Sequence, residues 1–205
     1  EDDNKDNAYV EFNLSDYDKK DSELIYYSSV EEAILNSPLN AENEEFSVPE
    51  DFLNHVDEIL HIWNGKQYDT IFYRAGSDND PVQGFVIARC KKQVEEATVQ
   101  YAFMNATPVT TKADSILISD ITELIHSSLK LSDFQQDLNP NYPDTRFVFG
   151  YAHDKEIYSL EVEGQKPDGV IEINVYDRTM YLWYYDDLKS DKRGNNLSYS
   201  VDMPE

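Results

Sequence analysis

The feature that most constrains the fold is a change of apolar period that occurs twice along the chain. A short helical pattern near 30–37 is followed by four strand-length segments, and a second helical pattern after 113 is followed by four more. Alternating strands that are separated by short turns pair with their sequence neighbours. We therefore predict an α+β fold of mostly antiparallel β-meanders with two short helical segments.

The first half offers clear start and stop signals. Ser28 or Ser29 can cap the free amides of the first helix, and Pro38 ends its apolar run. Strands are predicted at 59–63, 70–74, 84–90 and 97–104. Asn64-Gly65, between the first two strands, is a strong hairpin signal.

The second half repeats the layout, with two alternatives for the start of its helix. It is predicted to begin at Asp114 or Ser115 and to run to Leu129, although Ile116-Leu117-Ile118 fits a strand equally well. Strands are predicted at 147–151, 157–162, 170–176 and 180–185. Alternation at 197–201 predicts one more short edge strand.

These patterns divide the chain into four parts. We predict an acidic flexible tether at 1–23, an N-terminal α+β half at 24–112, a C-terminal α+β half at 113–190 packed on the first, and a loop-like tail at 191–205. Hairpins near Gly65 and Gly164 share Lys and Gln beside the turn. This similarity fits either a duplicated helix-plus-meander unit or turn chemistry that unrelated hairpins share.

The charge balance excludes two classes of partner. The 205 residues include 17 Lys and Arg and 41 Asp and Glu, a formal net charge of −24. Such an excess repels phosphate backbones and anionic lipid surfaces, so we expect no nucleic-acid partner. No run reaches the roughly 18 apolar residues of a membrane helix, so we also expect no direct membrane insertion by this segment.

The side chains that most often carry catalysis form no recognisable pattern. The histidines are His55, His61, His126 and His153, and no two lie at the helical spacing of a zinc site. Cys90, the single cysteine, cannot form an internal disulfide and is interpreted as a structural thiol. No nucleophile elbow or glycine-rich phosphate loop is present. We predict no catalytic residue, no metal site and no cofactor.

Acidic residues leave two alternatives open. With 41 of them, an enzyme that uses paired carboxylates stays possible, but any two can be paired on paper. Asp78-Asn79-Asp80 does not continue as a calcium loop, yet irregular cation binding there or at Asp186-Asp187 is a second alternative.

One aromatic strand has the composition of a binding surface. In Tyr181-Leu182-Trp183-Tyr184-Tyr185, residues Tyr181, Trp183 and Tyr185 share one face of a strand. Tyrosine and tryptophan offer large contact areas with a polar tip. We therefore predict a partner-binding patch at these three residues, with burial under a helix or loop as the alternative.

Short motifs follow one another in a defined order along residues 25–188. They are Ser29-Val30-Glu31-Glu32-Ala33-Ile34, Ile71-Phe72-Tyr73, Gly84-Phe85-Val86, Phe149-Gly150-Tyr151, Leu160-Glu161-Val162-Glu163-Gly164 and Leu182-Trp183-Tyr184. This order resembles uncharacterised extracytoplasmic proteins of low-GC Gram-positive bacteria, which are small lipoproteins or single-span membrane proteins. The resemblance implies a location outside the membrane and no established activity, and it transfers no catalytic residues.

Two functions of different class follow from these observations. The first is a non-catalytic, secreted or membrane-anchored bacterial domain that binds a protein or cell-envelope partner, with its anchor upstream of Glu1. The second is an acidic cytoplasmic protein that mimics nucleic acid or neutralises a basic partner, as an immunity protein does. An apolar signal before Glu1 would favour the first function, and a methionine just ahead of it the second.

Overall fold

The computed structural model describes residues 19–37, 52–76, 83–110, 120–138, 146–175 and 178–203. Across these ranges the chain forms two helices and nine strands, and every strand pair is antiparallel. The predicted α+β class with mostly antiparallel strands is therefore confirmed. Residues 1–18 of the predicted tether lie outside the described ranges, whereas Asp21 binds Lys91 of the sheet at 2.6 Å.

Helix α1 (Val30–Asn36) begins where the sequence predicts. The Ser29 hydroxyl accepts a hydrogen bond from the Glu32 amide at 3.2 Å. The Glu32 carboxylate in turn accepts from the Ser28 amide and hydroxyl at 3.2 and 2.6 Å. The Ser29 contact satisfies an amide that the first helical turn leaves free, as in a capping box. The Glu32 carboxylate differs from that motif in binding the residue that precedes the N-cap.

The N-terminal sheet is a four-stranded meander in sequence order. Its strands are β1 (Val56–Asn64), β2 (Tyr68–Ala75), β3 (Gly84–Glu95) and β4 (Thr98–Thr110). Each matches a predicted strand, but β3 and β4 extend well past the predicted ends. Tyr27 adds one further backbone pair, to Tyr101, on the outer edge of β4.

Helix α1 and a 3-10 turn at Phe52–Asn54 cover one face of the N-terminal sheet. The fully buried members of this core are Ala33, Ile34, Ile71, Tyr73, Ala75, Val86, Ala88 and Cys90. The Tyr73 hydroxyl donates to the Leu53 carbonyl. The Asn54 amide donates to the carbonyls of Ile34 and Ser37 at 2.6 and 2.9 Å, which ties the turn to the end of α1.

The second half begins with helix α2 (Ile121–Asp137), where the Asp120 carboxylate caps the Thr122 amide. The helix continues beyond the predicted end at Leu129. The predicted start at Asp114 or Ser115 and the ambiguous segment 116–118 lie outside the described residues.

The C-terminal sheet does not follow strict sequence order. It consists of β5 (Val148–Ala152), β8 (Arg178–Tyr185) and β7 (Gly169–Val175), in that spatial order. Strand β6 (Glu161–Val162) instead pairs with β9 (Tyr199–Ser200), which confirms the predicted short edge strand. The tail that was predicted to be loop-like thus contains this strand and a 3-10 turn at Gly194–Asn196.

The strand predicted at 157–162 is wrong over most of its length. Residues Lys155–Ser159 form a 3-10 turn, and only Glu161 and Val162 enter a ladder. Ile157 and Leu160 are both fully buried. Side chains three residues apart point to opposite faces of a strand but to the same side of a 3-10 turn, so the turn buries both in one core.

The two sheets pack face to face through an aromatic core. Trp63 lies 5.0 Å from Phe147 and 5.4 Å from Phe149, and Phe72 lies 5.5 Å from Phe149, measured between ring centroids. Phe85 and Met180 belong to the same buried cluster. The layers therefore run α1, N-terminal sheet, C-terminal sheet, α2, and the two halves share one core.

Helix α2 also seals the outer edge of β5, which among the described strands has a neighbour on one side only. The Ser132 hydroxyl accepts from the Phe149 amide at 3.0 Å and lies within donating distance of the Phe149 carbonyl, also at 3.0 Å. One helical turn later, the Gln136 side chain accepts from the Phe147 amide at 3.3 Å. Unpaired backbone amides and carbonyls at an exposed strand edge would otherwise be available to pair with another chain.

This close approach requires the glycine in the middle of β5. A Cβ at Gly150 would lie 2.5 Å from the Ser128 Cβ and closer still to the Trp183 ring. Real Cβ atoms do not approach that closely, so any larger residue at this position forces the helix away from the strand.

Substitution Ser132→Ala is expected to lower the free energy of unfolding by about 1–3 kcal/mol, because it leaves the buried Phe149 amide without the hydroxyl oxygen that accepts from it. The matched control is Ser127→Ala, which removes an exposed hydroxyl from the same helix. Urea unfolding followed by circular dichroism measures both. Equal, negligible effects of the two substitutions would contradict the sealed edge.

A carboxylate anchors the C-terminal segment to the turn after β6. Glu163 accepts hydrogen bonds from the Ser198 amide and, at 2.7 Å, from the Ser198 hydroxyl, and its other oxygen lies 3.0 Å from Lys192 Nζ. The Ser198 amide, then its hydroxyl, then Lys192 lower the pKa of Glu163 from 4.5 to about 2. Hydrogen bonds to a carboxylate favour its charged form.

Because the folded state depresses this pKa, Glu163 stabilises the fold above about pH 4.5, and that contribution disappears as the pH falls towards about 2. Glu163→Gln is expected to be less stable than the wild type at pH 7, with a difference that shrinks through this window. Urea unfolding at several pH values measures the difference. Lys192→Ala keeps both Ser198 donors and should retain most of the pH dependence; a pH-independent difference for Glu163→Gln would refute the assignment.

Candidate functional site

The structure places the aromatic segment of β8 inside the fold. Trp183 has no exposed surface and Tyr185 is 2% exposed, and both belong to the cluster beneath α2. The Tyr185 hydroxyl accepts from the Val162 amide at 3.1 Å and donates to the Gln165 carbonyl at 2.8 Å, and burial raises its pKa. The prediction of an exposed face is wrong at these two residues, because α2 and the β6 turn cover them.

Tyr181, the third residue of the predicted patch, is half-buried. Its ring lies 5.6 Å from that of Tyr158, whose side chain is largely exposed and donates to Glu172 at 2.7 Å. On the opposite face of β8, Leu182 is fully buried between the two sheets. The aromatic strand is thus a central strand with both faces covered.

Trp183→Ala is therefore expected to cost about 3–5 kcal/mol of unfolding free energy, because it empties a large volume in the core. Tyr181→Ala, at the half-buried end of the same face, is expected to cost no more than about half as much. Urea unfolding of the two variants compares them. Similar small losses for both would restore the interpretation of this strand as a surface patch.

The reactive groups of β2 and β3 are also buried. Cys90 has no exposed surface, and burial raises the pKa of its thiol far above the ordinary value. Asp69 is held by Lys92 at 2.7 Å; desolvation raises its pKa, and the lysine opposes this shift. Arg89 lies 4.8 Å above the Tyr68 ring, and burial lowers its pKa to about 10. These positions agree with the interpretation of Cys90 as a structural thiol.

A histidine–carboxylate pair connects the two halves at the rim of the sheet interface. His61 Nε2 of β1 lies 2.7 Å from Asp186 Oδ1, which follows β8. The imidazole stacks on Tyr184 at 3.9 Å and meets the edge of Trp63 at 4.8 Å. The sequence places these residues far apart, so periodicity alone could not bring them together. The pair positions β1 against the end of β8.

One open cavity of about 510 Å³ lies beside the first turns of α2. Its walls are Thr122, Glu123, Leu124, His126, Ser127, Tyr151 and Tyr199. The Tyr199 hydroxyl lies 3.3 Å from the Thr122 carbonyl and holds β9 against the helix. Two of the lining residues are ionisable in the ordinary pH range. They are the carboxylate of Glu123 and the imidazole of His126, which lie one helical turn apart.

Strands β3 and β4 extend past the rest of the N-terminal sheet as a two-stranded projection. Pairing of β2 with β3 ends at Tyr68 and Lys91, whereas β3 and β4 stay paired up to Glu95 and Thr98. We call residues 93–100 the ribbon. The predicted third strand ended at residue 90, whereas β3 continues to Glu95, and the ribbon side of β4 was already part of the strand predicted at 97–104. The signal for the longer β3 is Val94, an apolar residue that faces Val99 across the two strands.

The ribbon carries an exposed apolar pair at its end. Val94 and Val99 face each other across the two strands and are 70% and 38% exposed. Glu96 and Ala97 form the turn, both with positive φ, at 46° and 72°. A two-residue hairpin turn of this type normally carries Asn-Gly, since other residues adopt this conformation at a cost.

The described ranges offer no metal centre: no three His, Cys, Asp or Glu side chains within them group closely enough to hold an ion. Asp187 instead accepts from the Arg146 amide at 3.2 Å and pairs with Lys189, and Asp78 and Asp80 lie outside these ranges. Neither helix of the described chain has the length and apolar character needed to span a bilayer.

Comparison of the chain with protein-family models, with curated proteins and with solved structures yields no match. The resemblance to extracytoplasmic proteins of Gram-positive bacteria therefore stays a prediction. Roles for individual residues follow from their geometry and chemistry alone.

Proposed function

We propose that the protein is a binding module for a protein or cell-envelope partner, and that it works outside the cytoplasm as a secreted or membrane-anchored domain. The proposal includes no catalytic step. Its location rests on the sequence resemblance, whereas the binding role is supported by the distribution of charge over the folded part.

The observation that carries the binding role is that several lysines and arginines of the described ranges are held in ion pairs, while many carboxylates face solvent. Ion pairs of 2.5–3.4 Å engage basic residues of both halves: Arg74 with Asp57, Lys91 with Asp21, Lys92 with Asp69, Arg146 with Asp133, Lys192 with Glu163 and Arg193 with Asp137. Exposed carboxylates without a basic neighbour in these pairs include Glu31, Glu58, Glu95, Glu96, Glu123 and Asp202.

Acidic segments outside the described ranges add to this field. Residues 1–18 contain seven acidic residues and one lysine, and residues 38–51 contain five acidic residues and no basic one. These two segments together carry −11 of the net charge of −24. A summed field of this kind speeds association with a cationic surface and disfavours acidic partners.

The same field favours a second candidate, a cytoplasmic protein that neutralises a basic partner by occupying its anion-binding surface. Both candidates require a cationic partner, so charge does not separate them. The two candidates are distinguished by the cell fraction, envelope or cytosol, that contains the partner.

The test uses the whole chain, immobilised and exposed separately to envelope and cytosolic fractions of its host. We expect a partner from the envelope fraction that is retained at about 0.15 M salt and released at about 1 M, where the screening length falls to about 3 Å. Recovery from the cytosol alone would favour the second candidate. Binding that is insensitive to salt would contradict both.

A matched pair of charge variants then tests the role of the field. Glu58→Lys with Asp202→Lys is expected to lower the association rate constant of the recovered partner several-fold, and Lys130→Glu with Lys155→Glu to raise it. All four side chains are exposed, so folding should be unaffected. Surface plasmon resonance measures the rates; equal rates for both variants would contradict electrostatic steering.

A further inference from the structure

The ribbon is unusual because it exposes apolar side chains that belong to none of the core clusters. Beyond Lys91 and Lys92, β3 has no partner except β4 among the described residues, and the outer edge of β4 is paired only at Tyr101. The projection therefore contributes little to the shared core. Native sheets usually avoid such unprotected strand ends.

The apolar pair continues one face of the N-terminal sheet. Residues two apart on a strand share a face, so Val94 lies on the face of Lys92 and Cys90, and Val99 lies on that of Tyr101 and Phe103. Cys90 and Phe103 pack under α1, but the two valines project beyond the helix into solvent. Facing β-branched residues stabilise the ribbon itself while leaving an apolar surface free for contact.

The border of this apolar pair is acidic. Glu95 and Glu96 are exposed at the turn, and residues 93–100 include no lysine or arginine. The nearest basic residues along β3, Lys91 and Lys92, bind Asp21 and Asp69 at 2.6 and 2.7 Å. A complementary surface therefore needs an apolar recess bordered by lysine or arginine.

A second copy of this chain does not meet that requirement. Its own ribbon would bring the same carboxylates towards Glu95 and Glu96, and each chain carries a net charge of −24. Like charges brought together at an interface oppose association.

We propose that the tip of the ribbon, with Val94 and Val99 as apolar anchors and Glu95 and Glu96 as flanking charges, is the docking element for a basic protein partner. This inference rests on the proposed binding function and locates it. The valines insert into an apolar recess of the partner, and the carboxylates bind the lysine or arginine side chains around that recess.

The experiment uses phage-displayed random peptides of about twelve residues, selected on the whole chain at low salt. We expect selected peptides to contain an apolar residue flanked by lysine or arginine. Their affinity should fall about tenfold or more for Val94→Ser with Val99→Ser, and likewise for Glu95→Lys with Glu96→Lys. Circular dichroism and urea unfolding verify that each variant is folded.

Two controls separate this inference from the proposed function. Leu35→Ser removes an exposed apolar side chain from α1, outside the ribbon, and it should leave affinity within about twofold. Glu58→Lys with Asp202→Lys alters charge away from the ribbon, so it should weaken peptide binding much less than the ribbon variants do. Fluorescence anisotropy of the labelled peptides measures all affinities.

The outcomes are distinct. Two results would overturn the ribbon as docking element while leaving the proposed function intact. The first is normal binding of the selected basic peptides to Val94→Ser with Val99→Ser. The second is an equal loss of affinity for the two charge-reversal variants, at Glu95 and Glu96 and away from the ribbon. Failure to select any basic peptide would count against both. If sedimentation experiments show a dimer for the wild type and a monomer for Val94→Ser with Val99→Ser, the occupant is a second copy of the chain. That result would overturn the inference.

Discussion

Aromatic packing between the two sheets is the interaction on which the rest of the structure depends. Trp63 and Phe72 from one sheet meet Phe149 of β5, and Trp63 also meets Phe147 just before β5, at centroid distances of 5.0–5.5 Å. Aromatic pairs bury large areas and add a geometric preference of their own. Once these faces are joined, each helix can cover only the outer face of its sheet, and the four-layer order follows.

This arrangement determines which surfaces remain for function. The strand with the most aromatic residues lies in the middle of the C-terminal sheet, so Trp183 and Tyr185 stabilise the fold from within. The edge of β5 is sealed by α2 through Ser132 and Gln136. The accessible surface of the described residues includes an acidic outer face, an open cavity beside α2 and the apolar tip of the ribbon, and surfaces of this kind recognise partners by charge and shape.

Local signals in the sequence predicted local structure well. The capping residues of α1 and the four neighbouring strands of the first sheet follow from short-range patterns, because capping and hairpin turns depend on adjacent residues. The strand prediction is wrong at Ile157 and Leu160, since a three-residue spacing of buried side chains in a short segment is compatible with more than one structure.

The candidate sites were harder to predict because they depend on packing between distant segments. Alternation on β8 predicts one exposed face. A strand that lies between a second sheet and a helix is buried on both faces, and the pattern of its own residues does not distinguish the two cases. The contact of His61 with Asp186 and the cavity beside α2 both require the two halves to be docked. The ribbon emerges only when the end of β2 is compared with that of β3.

The shared core is tested most directly by the chain's two tryptophans, because Trp63 lies between the sheets and Trp183 lies beneath α2. In the single-tryptophan variants Trp183→Phe and Trp63→Phe, urea unfolding is followed by tryptophan fluorescence and by far-ultraviolet circular dichroism. One cooperative core predicts that the two signals change together in each variant. A Trp63 signal that changes while the circular dichroism remains native would show that the sheets separate before they unfold, and would contradict the account.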